Sequence, residues 1–154
     1  MGELPLDHSI FGTQKSIWLC GYQIDDNFMK MTQNKTSELG FLAENLAARY
    51  LEKKGYRILE LNYRKPWGEI DIVASKEGIL VFVEVKANRK IITGFEPELR
   101  ANSSKIIKIV RTARTYLAEK KYSPLQEWQV DIISIGLDEP REMAKIRHFK
   151  NIDV

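Results

Sequence analysis

The chain has 154 residues, of which 44% are hydrophobic and 29% charged. That suits one folded domain with an ordinary core and excludes a fibrous, collagenous or globally disordered protein. The net charge of +3 is by itself weak evidence for a polyanionic partner.

Cys20 is the only cysteine, so no internal disulfide can form, which suits a reducing cytoplasm. With only His8 and His148 beside it, a Cys/His zinc site or a Ser-His-Asp triad has too few parts. Any metal must then sit on oxygen ligands, which favours Mg²⁺ or Mn²⁺. No apolar run approaches the roughly 20 residues that cross a bilayer. The run from Ile17 to Tyr22 is too short, and nothing frames it as a signal peptide. The expectation is a soluble, cytoplasmic protein.

Residues 1–34 show neither sustained helical nor strand periodicity and carry Pro5, three glycines and scattered aromatics. They read as an N-terminal extension, partly ordered at best, ahead of a domain over 35–154. A helix is predicted over about 36–54, because Leu39, Leu42, Ala43, Leu46, Ala47 and Tyr50 recur at three- and four-residue spacing. Thr36 or Ser37 can cap its start, and Gly55 suits the position just past its end. Glu44 falls at the shoulder of the apolar stripe. A strand follows over about 56–62, then a loop over 63–68 broken by Pro66 and Gly68.

Residues 69–74 and 79–86 read as two strands joined by a turn over 75–78. The second is apolar at nearly every position before Glu84, as in a strand buried on both faces. A loop over 87–102 leads to a second amphipathic helix over about 103–120. Its apolar side carries Ile106, Ile109, Val110, Ala113, Tyr116 and Leu117, and its polar side Lys105, Lys108, Arg111 and Arg114. A strand over 128–135 containing Asp131, a turn over 136–141 and an edge strand over 146–151 complete the chain. The order α-β-β-β-α-β, with one further β, predicts an α/β domain with a central mixed sheet flanked by helices.

The chemistry concentrates on the central hairpin. If 75–78 form its turn, Ala74 pairs with Ile79 and Asp71 lies opposite Phe82. Alternation then puts Asp71, Phe82, Glu84 and Lys86 on one face. Asp71 and Glu84 become diagonal neighbours, with Cβ atoms roughly 5–8 Å apart. Two carboxylates that close can bridge a small cation with bonds of about 2.0–2.2 Å. Such a cation polarises a phosphoryl oxygen and acidifies bound water, while a lysine steadies the charge that develops. A solvated Glu-x-Lys pair on an exposed sheet is the plainer alternative, but the run from Ile79 to Val83 is too apolar for an exposed strand.

The segment from Gly68 to Ala74, then Val81 to Lys86 and Arg89, resembles the YraN-like family of uncharacterised bacterial proteins, a branch of the PD-(D/E)XK (restriction-endonuclease-like) nuclease superfamily. The likeness begins near Gly40, with Ala43-Glu44 and the run from Tyr50 to Tyr56. It continues through Asn62 to Arg64, Lys105 and the helix from Ala113 to Leu117, and reaches Asp131 to Ile135. The resemblance implies a restriction-endonuclease-like α-β-β-β-α-β core, with archaeal Holliday-junction resolvases as structural relatives. It implies catalytic roles for Asp71, Glu84, Lys86 and Glu44, and a metal held by Asp71, Glu84 and Val85. Ile70 stands where the superfamily name has its proline, a position that varies.

The implied activity is metal-dependent hydrolysis of DNA phosphodiester bonds, with branched DNA a candidate substrate and DNA favoured over RNA. A non-catalytic nucleic-acid-binding protein that keeps the fold is the alternative. Junction cleavage calls for two sites and hence a homodimer. From Glu84 to Lys121 ten Lys or Arg face four Asp or Glu, a local excess able to hold a phosphate backbone. Arg64, Lys65, Arg89, Lys105, Lys108 and Arg111 are the expected nucleic-acid contacts, against the alternative of a merely solvated face. Trp67 can stack a base or anchor its loop. Asp131 can assist the site or act as a structural acid paired with Arg or Lys.

Overall fold

The computed structural model describes residues 16–23, 36–88, 103–138 and 143–152. In chain order the elements are β1 (Ser16–Gln23), α1 (Thr36–Lys53), β2 (Arg57–Lys65), β3 (Gly68–Lys76), β4 (Ile79–Asn88), α2 (Ser103–Glu119), β5 (Trp128–Asp138) and β6 (Met143–Phe149). The expected α-β-β-β-α-β order runs from α1 to β5, and the α/β class holds.

α1 stops as its sequence predicts. Gly55 adopts φ +83° and donates to Glu52 O at 2.9 Å, while the Tyr56 amide reaches back to Leu51 O at 3.0 Å. This pair of bonds satisfies carbonyls that the last turn would otherwise leave unpaired.

The strands join one six-stranded sheet in the order β1-β6-β5-β4-β3-β2. β2, β3 and β4 are consecutive antiparallel neighbours. α2 then crosses over so that β5 pairs parallel with β4, which makes the sheet mixed. The expected loop over 63–68 is mostly strand, leaving only Pro66 and Trp67 as the turn. Buried Tyr63 explains the extension: its ring packs edge-on against Tyr116, with centroids 5.0 Å apart, so the strand carries on inward past Asn62.

β1 lies in the stretch that showed no strand periodicity. It pairs antiparallel with β6, so β6 is an interior strand rather than the expected edge. Main-chain pairing of this kind asks little of side-chain pattern.

Helices cover both faces. Ala43, Ala47, Tyr50 and Leu51 of α1 pack on Ile72, Ala74, Val81, Val83, Ile133 and Ile135. Ile109, Ala113 and Tyr116 of α2 pack on Val73, Leu80, Phe82 and Val130. The Leu, Ile, Val and Phe side chains among them each contribute roughly 1.5–3 kcal/mol when fully buried. β4 is thus buried on both faces, as its apolar run predicts, and its polar residues begin only at Glu84.

Candidate active site

The turn between β3 and β4 is two residues, Glu77 and Gly78, both at positive φ (52° and 83°). That backbone matches the twist of a tight hairpin. The pairs are Lys76↔Ile79, Ser75↔Leu80, Ala74↔Val81, Val73↔Phe82 and Ile72↔Val83. The register therefore differs by two residues from the four-residue turn expected. A shift of two leaves every side chain on its face, so Asp71 still shares a face with Glu84, now as its opposite number rather than its diagonal neighbour.

The ladder ends at Ile72↔Val83. One step further, the Val85 amide donates to Asp71 Oδ2 at 2.7 Å. A carboxylate thus takes the place of a main-chain carbonyl and is held against β4. Glu84 follows the apolar run inward and is buried. Its Oε1 pairs with Lys105 Nζ from the first turn of α2. Its Oε2 is buried with no hydrogen-bond partner among the described residues.

The electrostatics follow from this crowding. Burial, then the charge of Glu84, pushes the Asp71 carboxyl up to about 7, against the pull of the Val85 amide; Glu44 adds to the rise and Lys105 opposes it. Burial works to lower Lys105, but the hydrogen bond to Glu84 and the surrounding negative charge outweigh it and raise the ammonium. Two buried carboxylates, one holding its proton to near neutrality and one with an oxygen unpartnered among the described residues, leave room for positive charge beyond that of Lys105. That donor set fits a small divalent cation. Among the described residues no group of three or more His, Cys, Asp or Glu side chains is arranged to hold a metal, so the fit rests on two carboxylates.

Glu44 belongs to α1, whose apolar stripe covers the other face of the sheet. Its charge still reaches Asp71, and Asn62 Nδ2 donates to Glu44 Oε2 at 2.9 Å. Asn62 sits in β2 at φ 54°, a left-handed conformation that Asn tolerates better than most residues. Its role was not read from the sequence. Lys86 lies two residues beyond Glu84 on the same strand and by alternation on the same face, half-buried.

The expected nucleic-acid residues divide. Arg64, Lys65, Lys105 and Lys108 line one cleft of about 490 Å³ with Trp67 and Glu69. Within it Arg64 lies 3.5 Å from Glu69, and Lys65 is paired with Glu119. Lys105 was expected among phosphate contacts, whereas its ammonium sits on Glu84. Arg111 lies over the Trp67 ring, 4.9 Å from its centroid, and so covers one face of the indole. Trp67 is thereby a loop anchor, fixing the β2–β3 turn to α2. Arg89 falls outside the described residues.

Asp131 belongs to the opposite face: Val83 pairs with Asp131, and Glu84 with Ile132. Its hydrogen bonds go to His148, Gln129 and Asn151 rather than to the expected Arg or Lys. His148 Nε2 lies 2.7 Å from Asp131 Oδ2, and Gln129 Nε2 and the Asn151 amide donate to Oδ1. His148 Nδ1 in turn lies 3.3 Å from Tyr50 Oη. The His148–Asp131 pair at its centre is fully buried, on the side of the sheet that α1 covers.

The family model for the uncharacterised protein family UPF0102 matches residues 43–135, which span the α1-to-β5 core and every acidic residue of the site. The chain belongs to that family. A UPF0102 protein of Fervidobacterium nodosum is 39% identical over 115 residues, covering 72% of this chain and 78% of the relative. One from Campylobacter fetus is 40% identical over 113 residues, covering 73% and 91%. Another from Campylobacter hominis is 38% identical over 120 residues, covering 78% and 97%. The likeness read from the hairpin motifs is thus a family membership, and the UPF0102 family itself is uncharacterised.

Proposed function

We propose that this UPF0102 protein is a metal-dependent nuclease that hydrolyses phosphodiester bonds of DNA. The observation that carries the reading is the pair Asp71 and Glu84, buried together where β3 and β4 part, with Glu84 Oε2 left without a hydrogen-bond partner among the described residues. A buried carboxylate oxygen without a partner is costly unless something compensates it.

Asp71, Glu84 and the Val85 carbonyl would hold Mg²⁺ or Mn²⁺. Such a cation supplies charge stabilisation at a phosphoryl oxygen and an acidified water. The chain's own groups do the rest. Val85 N–H fixes the Asp71 carboxylate. Lys86 places an ammonium on the same face, where it steadies negative charge on the reacting phosphate. Glu44, held by Asn62, adds acidic potential and a potential proton acceptor at one remove. Arg64 and Lys108 offer phosphate contacts along the cleft beside the site.

A second reading, a nucleic-acid-binding protein that keeps the fold without cleaving, is favoured by one feature: Lys105 already pairs with Glu84. A cleavage screen over single-stranded, duplex, flap and four-way-junction DNA with Mg²⁺ or Mn²⁺ separates the two. The nuclease reading expects cleavage that Asp71→Ala or Lys86→Ala lowers by about 10²-fold or more. Metal-independent cleavage, or no cleavage with binding intact in all three proteins, sinks it. If the four-way junction is the preferred substrate, paired cuts require a symmetric dimer, which sedimentation detects.

A further inference from the structure

Lys105 stands where the acidic pair meets the basic cleft. Its Nζ pairs with Glu84 Oε1, yet it also lines the cleft with Arg64, Lys65 and Lys108. The two partners differ in freedom: the Lys105 side chain is 42% exposed, that of Glu84 only 4%. The lysine can swing into the cleft on its flexible stem, whereas the carboxylate is fixed within the fold. Glu84 Oε2 is buried with no hydrogen-bond partner among the described residues, so the same carboxylate has one oxygen under an ammonium and one left for a second positive charge.

We infer that Lys105 is a built-in rival of the divalent cation at Glu84, setting how tightly the centre holds its metal and linking metal occupancy to phosphate occupancy of the adjoining cleft. This rests on the nuclease reading of the Asp71–Glu84 pair. An ammonium and a dication on one carboxylate repel each other, and in a partly buried site water screens that repulsion poorly. As the cation binds Glu84, Lys105 loses its hold and turns toward the cleft, where a phosphodiester replaces the carboxylate as its partner. By reciprocity, a phosphate that captures Lys105 tightens metal binding.

The test is calorimetric titration of the full chain with Mg²⁺ at one fixed pH of about 9. Wild type is compared with Lys105→Met, Lys105→Gln, Lys105→Arg and Asp71→Ala, each checked for its fold by circular dichroism. Lys105→Met and Lys105→Gln should bind Mg²⁺ about tenfold or more tightly than wild type. Lys105→Arg keeps the charge and should stay within about threefold of wild type. Binding in Lys105→Met and Lys105→Gln that is equal to or weaker than wild type overturns the inference alone, provided Asp71→Ala abolishes wild-type binding. Absence of Mg²⁺ binding in all five proteins overturns it together with the nuclease reading.

Discussion

Asp71 is placed where burial and the charge of Glu84 both oppose its ionisation, and its carboxyl rises from 3.8 to about 7. The folded chain therefore holds this proton more tightly than the unfolded chain does. The effect on stability is unfavourable above about pH 7, where the folded form must carry the charge, and is relieved as pH falls toward 4. Urea denaturation should show wild-type stability falling between about pH 5 and about pH 8. Asp71→Asn should remove much of that fall, because the amide keeps an oxygen for the Val85 N–H and carries no charge. An equal fall in the variant would contradict the assignment. The same proton must leave when a cation binds, so metal affinity should rise through the same range.

At the scale of elements, the hairpin that delivers Asp71 is braced by α2. A Cβ built at Gly68 would lie 2.6 Å from Thr112 Oγ1 and 3.3 Å from the Lys108 carbonyl. The first contact is too close for any real side chain, and Thr112 is fixed by its own bond to Lys108 O at 2.8 Å. Gly68→Ala should therefore lift the start of β3 from the helix and cost about 1–3 kcal/mol in urea denaturation. Wild-type stability in that variant would mean that the contact is not tight.

The residues explain what sequence could and could not show. Asp71 and Glu84 were legible as partners because strand alternation has period two, so a turn misjudged by two residues left them on one face. The turn itself was hidden because Glu77, an unusual residue for positive φ, takes the position where Asn or Asp is the usual signal. Lys105 belongs to the polar side of α2, as its periodicity says, but periodicity does not tell that this side's first turn overlies Glu84. Tyr50, Asp131 and His148 meet only when the sheet is assembled, since 98 residues separate Tyr50 from His148. β1 left no pattern to read, and its place beside β6 is purely tertiary.

Among the described residues, one sheet clad by two helices holds a small acidic centre at the point where two strands part. The fold fixes β4 from both faces through its apolar run and lets polarity begin at Glu84, so the charged groups gather at one end of a rigid strand. Membership of UPF0102 extends over this core. No helix among the described residues is long and apolar enough to cross a membrane. Asp71 and Glu84 are proposed to bind one divalent cation between them. Equilibrium titration with Mn²⁺, followed by electron paramagnetic resonance at about pH 8, tests it directly. Wild type should bind one ion per chain, and Asp71→Ala and Glu84→Gln should each lose it. Binding that survives both substitutions, or a wild type that takes up no Mn²⁺, would contradict the account.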